Sequence, residues 1–320
     1  MIIKTSESSL VYTKSYSSNL IMNYSTTRIA YYHGIGKNHH LYTLENLSHE
    51  IGSLYPYCNM YLSMSSEKIS NIQKSILSGT YRLSPFSIRL TPRNQSIDYN
   101  PYEFVMHCDE FPTERVILTT SEEDLVVLTA LGKVLNLIFH SLGYNSIIIT
   151  TRSFYEDELP LIKNVDCLYR IDMSNTMFTF NKEELISDLE SILGKTPIFD
   201  LVLSFLHADY NEYNGYSFTK LAIPPVCFLS NVLHNFINNK LDTAMMKSFD
   251  DKLYYERHMH EVYIYNCLYC YNDFISIIKS LFVDLGLTGD IYYIERGTNA
   301  PCIMGIVGLD NAGDIYIKYE

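Results

Sequence analysis

Residues 255–266 read YERHMHEVYIYN. Side chains alternate between faces on an extended chain. KLYYERH (252–258) and EVYIYNC (261–267) therefore read as two strands with a tight turn at Met259 and His260. His258, His260 and Glu261 crowd that turn. Two imidazoles and a carboxylate are metal-ligand types. A hairpin tip, however, presents ligands from one side only, and Asp172 is the single further strong ligand in prospect. The reading is a hairpin packed by ordinary polar contacts, with no metal and no cofactor.

Helices flank the hairpin. PPVCFLSNVLHNFINNKLDTAMM (224–246) precedes it and opens on Pro, a residue suited to a first helical turn. FISIIKSLFVDLGL (274–287) follows, and then three short strands, IYYIE, CIMGIVGL and DIYIKYE. Upstream, CLYRIDMSN (167–175) is a strand running into a polar turn, followed by helices over 181–194 and 197–210. SSEKISNIQKSILSG (65–79) is a helix with Ile69, Ile72, Ile76 and Leu77 on one face and Gly79 at its C-terminal cap. TYRLSPFSIRLTPR (80–93) alternates like a strand and is the most basic stretch of the chain. Residues 114–143 give a strand and a long buried helix that starts on a Ser121–Asp124 capping box and ends at Gly143. SIIIT (146–150) is a buried strand, and 154–165 is helical on either side of Pro160. Helices mixed with a largely antiparallel sheet give the class α+β.

Of the 320 residues, 47% are hydrophobic, enough for more than one domain. Tyr (28), Ile, Asn and Ser recur as they do in AT-rich coding genomes, which points to an organelle, the mitochondrion in particular. The net charge of −12 counts against nucleic-acid binding by the whole surface, because phosphate neutralisation drives such affinity. It leaves room for a local basic groove. Seven Cys at irregular spacing do not make a secreted disulfide framework. The single C-x-x-C, Cys267 and Cys270, lacks the second pair a structural zinc needs. No apolar run reaches the ~18 residues of a membrane span, and the N-terminus has neither a secretory signal nor a transit peptide.

Several landmarks then fall in an order that resembles the reverse-transcriptase domain of group II intron-encoded maturases, over 65–310. In LYRIDMSNTMFTFNKEEL, Asp172 and Leu185 stand at the spacing of the family's strand-end catalytic Asp and following Leu. FLHADY (205–210) resembles the next helix end, and 222–242 aligns without a gap, retaining Pro224, Leu229, Ser230, Asn235, Leu241 and Asp242. SGTYRLSP (78–85), Arg115, Asp124 and Gly305 fall at further family positions. The resemblance implies fingers and a palm: an N-terminal extension over 1–60, a fingers-like region over 61–165 and a palm-like region over 166–320.

The departures carry the functional expectation. Where the family has Tyr-x-Asp-Asp, this chain has His258-Met259-His260-Glu261. A two-metal polymerase needs hard carboxylate ligands, and a neutral imidazole is a poor Mg²⁺ ligand. The nucleotide-facing loop has become Ala222-Ile223-Pro224-Pro225-Val226, and Thr176 stands where the family has an aromatic gate. Asp172, His260 and Glu261 are then relic positions, and the chain is not an enzyme. No thumb or endonuclease region fits after residue 310, so a thumb would come from another chain. What remains is a pseudoenzyme that binds structured RNA in intron splicing, with Arg82, Arg89, Arg93, Arg115 and Arg152 contacting phosphate. The alternative is a structural subunit of an organellar ribonucleoprotein, with Tyr-rich protein interfaces. Both readings expect protein partners.

Overall fold

The computed structural model describes residues 43–56, 62, 64–92, 104–106, 114–144, 159–173, 176–209, 222–224, 226–249, 254–258, 260–265, 267, 271–302 and 305–319. SIIIT, YYHGIGKNHH and Cys270 lie outside these residues. The described residues are mixed helix and antiparallel sheet, so the class is α+β. They fall into two units, one within Ile147–Phe180 and His234–Glu320, the other within Ser15–Ser146 and Asn181–Leu233.

The second of these units opens with helix α1 (Leu44–Ser53), capped by the Thr43 hydroxyl, which accepts from the Asn46 amide. Its buried Leu47 and Ile51 fall one helical turn apart, a period that the polar surroundings mask in the sequence. Helix α2 (Ser66–Leu77) buries Ile69, Ile72 and Ile76. Leu77, expected on that face, is 49% exposed instead, because the last turn swings it past the buried stripe. Gly79 follows at φ +67, the left-handed position that ends a helix without Cβ strain.

Strands β1 (Ser87–Pro92), β2 (Phe104–Met106) and β3 (Glu114–Thr119) form an antiparallel sheet in the order β1-β3-β2. Helix α3 (Glu122–Ser141) comes next. By length and composition α3 is the one helix among the described residues long and apolar enough to cross a membrane, and 83% of its apolar window is buried inside the protein. Its lone internal cation, Lys133, is neutralised by Glu50 of α1 at 3.1 Å. At its start the Ser121 hydroxyl accepts from the Asp124 amide, as a capping box requires. The Asp124 carboxylate turns elsewhere and accepts from the Ser121 and Tyr81 hydroxyls and the Ser84 amide.

Of the helix expected over 154–165, residues 154–158 lie outside the described residues, Leu159–Leu161 form a 3-10 turn and 162–165 are not helical; β4 (Cys167–Asp172) and the one-turn helix α4 (Thr176–Thr179) follow. Helices α5 (Lys182–Leu193), capped by Asn181, and α6 (Pro197–Leu206) pack on each other within the second unit. Helix α7 (Phe228–Phe249) starts four residues later than expected. The Ser230 hydroxyl accepts from the Val226 and Cys227 amides and donates to the Pro224 carbonyl, holding these three residues ahead of the helix rather than in it.

Strands β5 (Tyr254–His258) and β6 (Glu261–Tyr265) are the expected hairpin. Helix α8 (Tyr271–Leu285) and β7 (Asp290–Glu295) follow. The strand expected over 302–309 is β9 (Gly305–Leu309), which pairs on one side with β8 (Asn299–Cys302), a strand not expected from the sequence, and on the other with β10 (Ile315–Tyr319). A Cβ at Gly313, φ +88, would meet the Val165 carbonyl at 2.6 Å, so only glycine lets that turn close on the chain leading into β4.

Candidate functional site

The four-stranded antiparallel sheet runs in the order β5-β6-β4-β7. Opposite residues in a ladder share a face, so its two faces can be read from the register. One face carries Tyr169 and Arg257 and is covered by helices. Tyr169 packs on Phe274 of α8, ring centroids 4.4 Å apart. Arg257 reaches α7, pairing with both Asp242 oxygens at 2.6–2.7 Å and with Asn235 at 2.7 Å, while the Tyr255 hydroxyl also donates to Asp242. Two residues picked out from the maturase pattern, Asn235 and Asp242, thus hold the hairpin to α7.

The other face carries Leu168, Arg170 and Asp172 of β4. At one end Leu168, Tyr263, Tyr265 and Ile294 join a core with Val307, Leu309 and Ile315 of the β8–β10 sheet. At the other end the ladder aligns one residue from each strand: His258 opposite Glu261, Glu261 opposite Asp172, Asp172 opposite Asp290. The relic positions Asp172 and Glu261 are therefore brought side by side.

Arg170 sits two residues before Asp172 on this face and serves both carboxylates. Its Nη2 donates to Asp172 Oδ2 at 2.8 Å and also to Glu261 Oε1, and its Nε donates to Glu261 Oε1 at 3.0 Å. The Tyr263 hydroxyl donates to Glu261 Oε2 at 2.7 Å. The side chains of Arg170 and Glu261 are 2% exposed and that of Asp172 24%. The guanidinium lies over the Tyr292 ring at 5.0 Å. Burial beside the Glu261 carboxylate pushes the Tyr263 phenol far above its ordinary range.

His260, at the turn, does not join the carboxylate row. Its ring stacks on His234 of α7 at 5.8 Å and 13°. His234 Nε2 lies 3.2 Å from the Met173 carbonyl, and the Met173 amide donates to the His260 carbonyl. Burial, and then the neighbouring His260, lowers the His234 pKa to about 3; burial, with His260 and Arg257, lowers that of His258 to about 4. Among the described residues no group of three or more His, Cys, Asp and Glu is placed to hold a metal ion. Thr176 is fully buried, its hydroxyl donating to the Thr288 carbonyl and accepting from the Thr288 amide.

The basic residues are more scattered. Arg82 is exposed, its Nη1 donating to the Gly79 and Tyr81 carbonyls. Arg89 and Arg115 lie on β1 and β3, opposite Ile117 and Thr91 respectively. Arg93 and Arg152 are outside the described residues. Sequence reasoning overlooked Arg170. Its signal was present: a charged residue inside a strand of buried neighbours must be paired. No protein-family model matches the chain, and no curated protein matches it.

Proposed function

We propose that this protein is a catalytically inactive, reverse-transcriptase-like RNA-binding factor, maturase-derived and serving intron splicing in an organelle. The single observation that carries the reading is the hairpin beside β4: a sheet backed on one face by α7 and α8, with Asp172 and Glu261 opposite each other at the strand ends. That is the place a polymerase palm would hold its metals. Here a polymerase step is blocked by charge and access. Glu261 is buried with both oxygens bonded, and the Arg170 guanidinium bridges it to Asp172. On this reading Arg82, Arg89, Arg93, Arg115 and Arg152 contact RNA phosphates, and a partner chain supplies any thumb.

The test is isolation of the protein from its source at mild salt, followed by crosslinking and identification of bound RNA and protein. A defined structured RNA crosslinked near Arg82 to Arg115 is the expected result. A stoichiometric protein assembly without RNA crosslinks would instead support a structural subunit. That second reading draws on the net charge of −12 and on the exposed rings of Tyr254, Tyr271, Tyr293, Tyr316 and Tyr319.

A further inference from the structure

We propose that Arg170 is a resident counter-cation that closes the Asp172–Glu261 pair to divalent metal ions, and that removing its guanidinium alone opens a cation site there. The inference rests on the ladder and its hydrogen bonds, and it stands whether or not the protein binds RNA.

Two carboxylates directly opposite in a ladder repel each other, the more so when one is withdrawn from water. Glu261 is so withdrawn, and Asp290 adds a third carboxylate to the row beyond Asp172. Such a row is tolerable only with a positive charge at its centre. Arg170 supplies it from the same face of β4, one Nη2 reaching both Asp172 Oδ2 and Glu261 Oε1. That atom stands where a single bridging ion would stand. A guanidinium is permanently charged and tethered, so it meets no binding entropy. Mg²⁺ would have to shed water, which it does reluctantly, and displace a side chain that is 2% exposed and stacked on Tyr292. The competition therefore favours Arg170. His258, opposite Glu261, is a further donor type at the end of the row.

The substitution Arg170→Met keeps an apolar stem and removes the charge. Glu261 is then buried beside Asp172 with no cation. Mn²⁺ is the probe, followed by loss of its free-ion EPR signal and by its effect on the melting temperature. Three proteins are compared: wild type, R170M, and R170M/E261Q, in which the buried negative charge is gone as well. Wild type should show no saturable binding and no change in melting temperature. R170M should bind one Mn²⁺ at about 1 mM or tighter, the range of weak carboxylate sites, and should melt higher with Mn²⁺ than without. The double variant should fold without responding to Mn²⁺.

Saturable binding by wild type that is lost in E261Q would overturn the proposal, since Arg170 would then exclude nothing. So would a folded R170M that ignores Mn²⁺, because Glu261 would have taken up a proton rather than a metal. If R170M stays unfolded at every Mn²⁺ concentration while the double variant folds, the proposal also fails. A vacancy able to take the ion would have been stabilised by it.

Discussion

Arg170 on β4 and Arg257 on β5 stand on either side of β6 in the sheet, and each is fixed by the carboxylates it meets. Arg257 is held between both oxygens of Asp242 and the Asn235 amide oxygen, with Tyr255 sharing Asp242. A buried pair broken on one side leaves an uncompensated charge, at a cost of about 3–5 kcal/mol. Arg257→Met and Asp242→Asn should therefore each lower urea stability by that order, since each strands one buried charge. A double variant R257M/D242N more stable than either single would show that the stranded charge, rather than lost packing, is what destabilises. Additive losses would refute it.

Within single elements, adjacent residues behave differently according to the face they occupy. Ile76 is 1% exposed on α2, while Leu77 beside it is 49% exposed. Truncating a buried Ile removes transfer energy and leaves a cavity, about 2–5 kcal/mol, while an exposed side chain contributes within about 0.5 kcal/mol. Ile76→Ala should shift the denaturant midpoint strongly and Leu77→Ala hardly at all. Comparable shifts would mean that the helix packs through the wider face expected from its sequence. The start of α7 teaches a related lesson. Pro224 stands before the helix rather than as its first residue because Ser230 reaches back to bond Pro224, Val226 and Cys227. Side-chain bonds across three to six residues overrode a local preference.

For the molecule as a whole, the cluster of neutral imidazoles gives stability a sign with respect to pH. His234 and His258 have folded pKa values of about 3 and about 4, both lowered first by burial. An unfolded His titrates near about 6.5. The unfolded chain therefore takes up protons first as pH falls. Stability is fully present above about 6.5 and is lost progressively toward the folded values. At about pH 5 each of the two costs about 2 kcal/mol. Urea midpoints should fall between about pH 7 and about pH 5, and His258→Gln should flatten the slope. An unaltered slope in that variant would place the acid sensitivity elsewhere. Burial is the main cause that lowers the His260 pKa; Asp172 opposes it, and the charges of Arg170 and Arg257 add to it.

The α+β class, the β5–β6 hairpin, the Ser121 cap and the periods of α2, α5 and α6 were all legible in the sequence, because each follows from residues within a few positions of one another. Helix α1 was hidden in polar surroundings, and β8 went unread because its four residues, Asn299–Cys302, include Pro301, which argues locally against a strand. Asp172, His260 and Glu261 were picked out together by motif order, and the register sets Asp172 opposite Glu261 while His260 sits at the turn. What became of them was decided only in three dimensions. Arg170 and Glu261 lie 91 residues apart, and no local rule says that a guanidinium will meet a given carboxylate. Strand pairing brings them together, burial strips away their water, and the need to neutralise charge in that setting fixes the site.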